Sequence, residues 1–152
     1  MILSDFKAFP RTGRILGVDW GARRTGLAVS DETRAFVFTR PAIVSPRGKS
    51  GVIADRIAAI ARDEAVVGII IGMPMHSDGT ASDTAIAVRD MAQRLSDLMD
   101  IPIAFIDETL TSFAAQEDIG RARISDIKQR LDSESARVIL ENAIAILKRT
   151  NK

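Results

Sequence analysis

Ile15-Leu16-Gly17-Val18-Asp19-Trp20-Gly21-Ala22-Arg23-Arg24-Thr25-Gly26-Leu27-Ala28-Val29-Ser30 sets the architecture of this chain. An apolar run closes on an acid, a glycine punctuates a tight turn, and a second short run follows at once. That reads as strand, turn, strand. Ala35–Val44 reads as a third strand, with Pro41 confining its second half to an edge or an end. Three strands joined this closely leave no room for crossovers, so an antiparallel meander is expected.

Beyond the loop at Pro46–Gly51 the period changes. Ile53, Ile57, Ile60 and Ala61 fall at helical spacing. Val66–Gly72 is continuously apolar, as a strand covered on both faces should be. After a loop at Met73–Ser82, Val88, Met91, Leu95 and Leu98 stripe a second helix that Ser82 or Asp83 could cap. Ile101–Ile106 reads as another buried strand. Thr111–Gly120 reads as a short helix, Arg121–Leu131 as a polar, basic connection, and Asp132–Lys148 as a long amphipathic helix. The expected fold is α/β, with a mixed five-stranded sheet flanked by helices. Its first three strands are antiparallel, and the rest are parallel through right-handed crossovers. Ligands of such sheets gather beyond the carboxyl ends of the parallel strands.

At 152 residues, 46% of them hydrophobic, the chain suits one compact domain. Residues 14–150 are read as that domain and 1–13 as an extension ahead of it. Without cysteine there is no disulfide framework and no thiolate zinc site; one histidine, His76, argues against a histidine-rich metal site. No apolar run is long enough to span a bilayer, and no secretory signal is evident. A cytoplasmic protein without a membrane partner is expected. The net charge of +1 excludes a strongly basic coat, so nucleic-acid contact must come from local clusters.

The acids are the chemically telling residues. Asp19 closes the first strand; its structural alternative is to cap the Gly21 turn. Asp107 and Glu108 close the last strand at the same edge, and because neighbouring strand residues face opposite ways, only one of them readily faces Asp19. Asp132 heads the apolar stripe Ala136, Ile139, Ala143 and Leu147, either as a helix N-cap or as a ligand aimed at the sheet edge. Converging carboxylates repel unless a cation compensates them. Oxygen donors without His or Cys select Mg²⁺ or Mn²⁺, which suit phosphodiester hydrolysis.

Leu16–Gly21 with Arg23–Asp31, Gly72-Met73-Pro74 with Asp78-Gly79-Thr80, Asp107–Ser112, and Asp132–Ala136 with Ile139-Leu140 occur in an order that resembles the YqgF or RuvX family of the ribonuclease H-like superfamily. The resemblance covers nearly everything after Gly13. It implies a bacterial cytoplasmic nuclease tied to 5′-end maturation of 16S ribosomal RNA, with resolution of Holliday junctions as the close variant. It implies Asp19, Glu108 and Asp132 as catalytic and metal-binding residues, with Asp107 as the other candidate of its pair. Thr109 stands where the family often has a basic residue, and the segment before Asp132 is less densely basic than usual.

Arg23 and Arg24 near Asp19, and Arg121, Arg123, Lys128 and Arg130 before Asp132, are the candidate phosphate contacts. Solvated charge is the bland alternative for each. The expected partners are pre-rRNA or branched DNA, with ribosomal particles in reach, and the chain acts as a monomer or homodimer. Two other classes compete. One is ATP binding of the actin and sugar-kinase type, which needs a second domain. The other is a non-catalytic RNA-binding domain, which would have no need of the acids.

Overall fold

A computed structural model describes residues 1–21, 23–44, 50–74, 83–107 and 124–150; side chains at 50, 51, 124–133 and 150 lie outside the description. The strands are β1 (Ile15–Asp19), β2 (Arg24–Ser30), β3 (Val37–Val44), β4 (Gly68–Met73) and β5 (Ile103–Asp107). The helices are α1 (Ser50–Asp63), α2 (Asp83–Leu98) and α3 (Ile124–Thr150). The sheet runs in the order β3-β2-β1-β4-β5. β1–β2 and β2–β3 pair antiparallel, whereas β1–β4 and β4–β5 pair parallel. The meander and the crossovers expected from the sequence are both present.

Strand alternation splits the core in two. Leu16, Val18, Leu27, Ile69, Ile71 and Ile103 face Ile53, Ile57, Val88 and Leu95 of α1 and α2. Ile15, Ala28, Ile70 and Ala104 face Ala136, Ile139, Leu140 and Ala143 of α3. A strand packed on both faces needs apolar residues at every position, and β4 is buried throughout.

Helix α3 packs directly over Gly17 of β1. A Cβ there would lie 2.9 Å from Leu140 Cβ and 3.0 Å from the Ala136 carbonyl oxygen. The direction of α3 follows from its other end, where Glu141, Ile144, Ala145 and Lys148 line a cavity with Arg34 in the β2–β3 turn. That turn lies at the start of β1, so α3 begins toward the end of β1 that carries Asp19.

Most element boundaries shift by one or two residues from the sequence reading, and the start of α3 shifts by more. The polar stretch expected as a connection is helical from Ile124, so α3 starts eight residues before Asp132. Ile124, Ile127 and Leu131 supply helical apolar spacing there, which the surrounding charges hide. As expected, β3 runs past Pro41 to Val44 as an edge strand, through a register shift opposite Gly26. The expected helix at 111–120 lies outside the described residues.

Residues 1–13 pack onto the sheet. Ile2 bridges Ile103 in parallel, Leu3 N donates to Ile103 O, and Ile103 N donates to Met1 O. Phe9 is buried at 3% exposure, over a position where a Cβ on Gly68 would lie 2.4 Å from its ring. At the same end, Glu64 accepts from Arg40 Nε at 2.7 Å and Arg14 Nη1 at 3.1 Å, joining β3, the end of α1 and the lead into β1.

Two predictions follow from this packing. Gly17→Ala should destabilise by about 1–3 kcal/mol, read from urea midpoints, because overpacking outweighs the chain-entropy gain of losing a glycine. The hydrogen bond from Arg40, followed by the Coulombic pull of Arg40 and Arg14, holds the Glu64 pKa below its ordinary value. Its contribution is therefore present above the unfolded value of about 4.3 and is lost as pH falls through the lower folded value. Glu64→Gln should flatten the stability curve in that acid window, measured by thermal melts across pH.

Candidate active site

The carboxyl ends of β1, β4 and β5 form one rim. Val18, Ile71 and Phe105 lie abreast in the register, so Asp19 stands one residue past that line and Asp107 two. The two outer strands are about 9.5 Å apart, twice the usual strand spacing.

Alternation assigns each acid a face. Ile15 belongs to the α3 side and Leu16 and Val18 to the α1–α2 side, so Asp19 shares the α3 face with Gly17. It is half-buried and already engaged by neighbours. On β5, Ala104 and Ile106 pack on the α3 side, and Ile103 and Phe105 on the other. Asp107 therefore has the parity of the α1–α2 face, opposite to Asp19. It is exposed and also has an interacting neighbour. Glu108 lies outside the described residues.

On α3, the stripe headed by Asp132 is the buried one: Ala136, Ile139 and Ala143 are at 0% exposure and Leu147 at 2%. Position 132 is one turn before Ala136, toward the rim. It sits inside the helix, in its third turn, so the N-cap reading does not apply. Its side chain is among those not described. Glu134 is half-buried and paired with Arg137 at 2.5 Å. Among the described residues no three of His, Asp and Glu form a metal-sized group; of the expected trio only Asp19 has a described side chain.

The turn between β1 and β2 depends on Gly21, where a Cβ would lie 2.3 Å from the Arg24 carbonyl oxygen. That tight return fixes where β1 stops and thus where Asp19 sits. Arg23 is exposed on this turn, and Arg24 is half-buried at the start of β2. Arg121, Arg123, His76 and Asp78-Gly79-Thr80 lie outside the described residues. Lys128 and Arg130 fall on the first turns of α3, and Lys128, four residues before Asp132, continues the same stripe.

Sheet order and the antiparallel-then-parallel pattern define the class of fold, which is ribonuclease H-like. The fold is shared with RuvC of T. thermophilus, solved in complex with a Holliday junction substrate (TM-score 0.61, 14% identity, 91% of this chain and 97% of that one). It is shared too with the human cytomegalovirus terminase nuclease domain (TM-score 0.52, 12% identity, 95% and 90%).

Within that class the chain belongs to the RuvX family, described as Holliday junction resolvase, whose pattern matches residues 13–146. Among curated relatives, a protein of Maridesulfovibrio salexigens named "Putative pre-16S rRNA nuclease" is 36% identical over 87% of this chain and 98% of its own length. One of the same name from Anaeromyxobacter dehalogenans is 38% identical over 84% and 93%. Among the described residues no helix is long and apolar enough to cross a membrane.

Proposed function

We propose that this nuclease matures the 5′ end of the 16S ribosomal RNA precursor, using Asp19, Glu108 and Asp132 to hold Mg²⁺ or Mn²⁺. The observation that carries the reading is the shared face. Asp19 lies on the α3 side of the rim, and position 132 of α3 continues the stripe buried against that side. The names of the curated relatives supply the RNA substrate. The cytoplasm, where ribosomal precursors meet ribosomal particles, is the compartment that fits.

The donor set suits a hard cation, since it offers carboxylate oxygens and neither thiolate nor imidazole. When bound, such a cation supplies charge neutralisation at the phosphodiester and an acidified water. The rest falls to the chain. The Gly21 turn fixes Asp19 at its strand end. The contact of α3 with Gly17 sets the height of Asp132 against Asp19. Lys128, continuing the Asp132 stripe, and Arg23, on the turn beside Asp19, suit phosphates flanking the scissile one. Asp107, with the opposite parity, fits an orienting or solvent role better than a place in the cation site.

A four-way DNA junction is the second reading, favoured by the family description and by the RuvC likeness. Purified protein with Mg²⁺ should cleave precursor 16S RNA in preference to a junction of matched length. Asp19→Asn, Glu108→Gln and Asp132→Asn should each lower the rate at least about 100-fold, with circular dichroism unchanged. Lys128→Ala should raise KM more than it lowers kcat. Cleavage of neither substrate by wild type, or undiminished cleavage by Asp19→Asn, would sink the proposal.

A further inference from the structure

At the opposite end of the sheet from Asp19, Arg34 is buried to 6% exposure in the turn between β2 and β3. Its Nε donates to Gly13 O at 2.9 Å. Among the described residues its buried Nη2 meets no acceptor, and no carboxylate pairs with the guanidinium. Burial alone pushes its pKa down, yet an arginine stays charged at neutral pH. A buried cation with one neutral acceptor is costly unless an anion joins it.

The backbone adds to that cost. Arg34 has φ 63°, the left-handed region that non-glycine residues avoid. The turn holds it there: Arg34 N donates to Asp31 O, while the Asp31 carboxylate accepts from Thr33 Oγ1 and from Phe36 N. Backbone strain clusters at functional positions, where the surrounding structure holds it in place.

Arg34 lines a cavity of about 270 Å³ with Ala35, Val37, Glu141, Ile144 and Lys148. Lys148 brings a second cation on an exposed stretch of α3. Glu141, the one carboxylate there, is engaged by Arg137 at 2.8 Å. The volume suits a small head group. We propose that this cavity binds a phosphate monoester through Arg34 and Lys148, either free phosphate or a small ester, or the terminal phosphate of a nucleic-acid strand. The site is separate from the acidic rim and does not rest on the nuclease reading.

The test uses the full chain without divalent metal, so that phosphate cannot enter through the carboxylates. Inorganic phosphate, at constant ionic strength, should raise Tm and shift the amide resonances of residues 31–37. Asp19→Asn should keep both effects. Lys148→Ala should weaken phosphate binding several-fold, and Arg34→Lys, which keeps the charge but loses the fork, about tenfold. Arg34→Gln should abolish it. An oligonucleotide with a 5′-phosphate outcompeting its 5′-hydroxyl twin in an Arg34-dependent way identifies a strand end as the source. Equal, weak binding of the two beside saturable free phosphate identifies the small ester. No response of wild type to tens of millimolar phosphate overturns the site. So does a response left unchanged by both Arg34→Lys and Lys148→Ala, variants chosen because each leaves the fold least disturbed.

Discussion

The approach of α3 to β1 at Gly17 is the contact on which the rest of the molecule depends. With a hydrogen in place of a side chain, the Ala136 carbonyl and Leu140 come within contact distance of the strand backbone. That closeness lets the small residues Ala136 and Ala143 lie flat on Ile15, Ala28 and Ile70. It also converts a sequence interval into a height. Two residues along β1 and one turn back along α3 reach the same end of the sheet, where acids occupy both positions. A bulkier residue at 17 would lift the helix and separate them.

Much of this was legible in the sequence. The strand-turn-strand at Ile15–Ser30, the continuous apolar run before Gly72, and the stripe from Ala136 to Leu147 carry their periods openly, and burial follows those periods residue by residue. The Asp107-Glu108 pair was legible only as an alternative. A period of two says that the residues part company, and only the packing of Ala104 and Ile106 against α3 says which side Asp107 takes. The start of α3 was hidden because Asp126, Lys128 and Arg130 interleave with Ile124, Ile127 and Leu131, the apolar residues whose spacing marks the helix.

Arg34 left no trace in the sequence reading. Asp31-Glu32-Thr33-Arg34 has the composition of a solvated turn, and nothing in residue type separates it from one. Its burial arises from tertiary placement: Gly13 approaches from before β1 and α3 returns alongside. The first thirteen residues behave similarly. Their scattered apolar side chains have no period, but Phe9 finds the one place where Gly68 leaves room for a ring, and Ile2 lines up beside β5.

The two borders of the sheet are finished in different ways. Beside β5, the bridge at Ile2 and the hydrogen bonds of Met1 and Leu3 occupy backbone groups of Ile103 that would otherwise invite a foreign strand. Along β3, Pro41 withholds a donor and the register shift breaks the ladder. Among the described residues, copies of the chain gathered on one long polymer would therefore meet two interrupted borders, and crowding there need not end in aggregation.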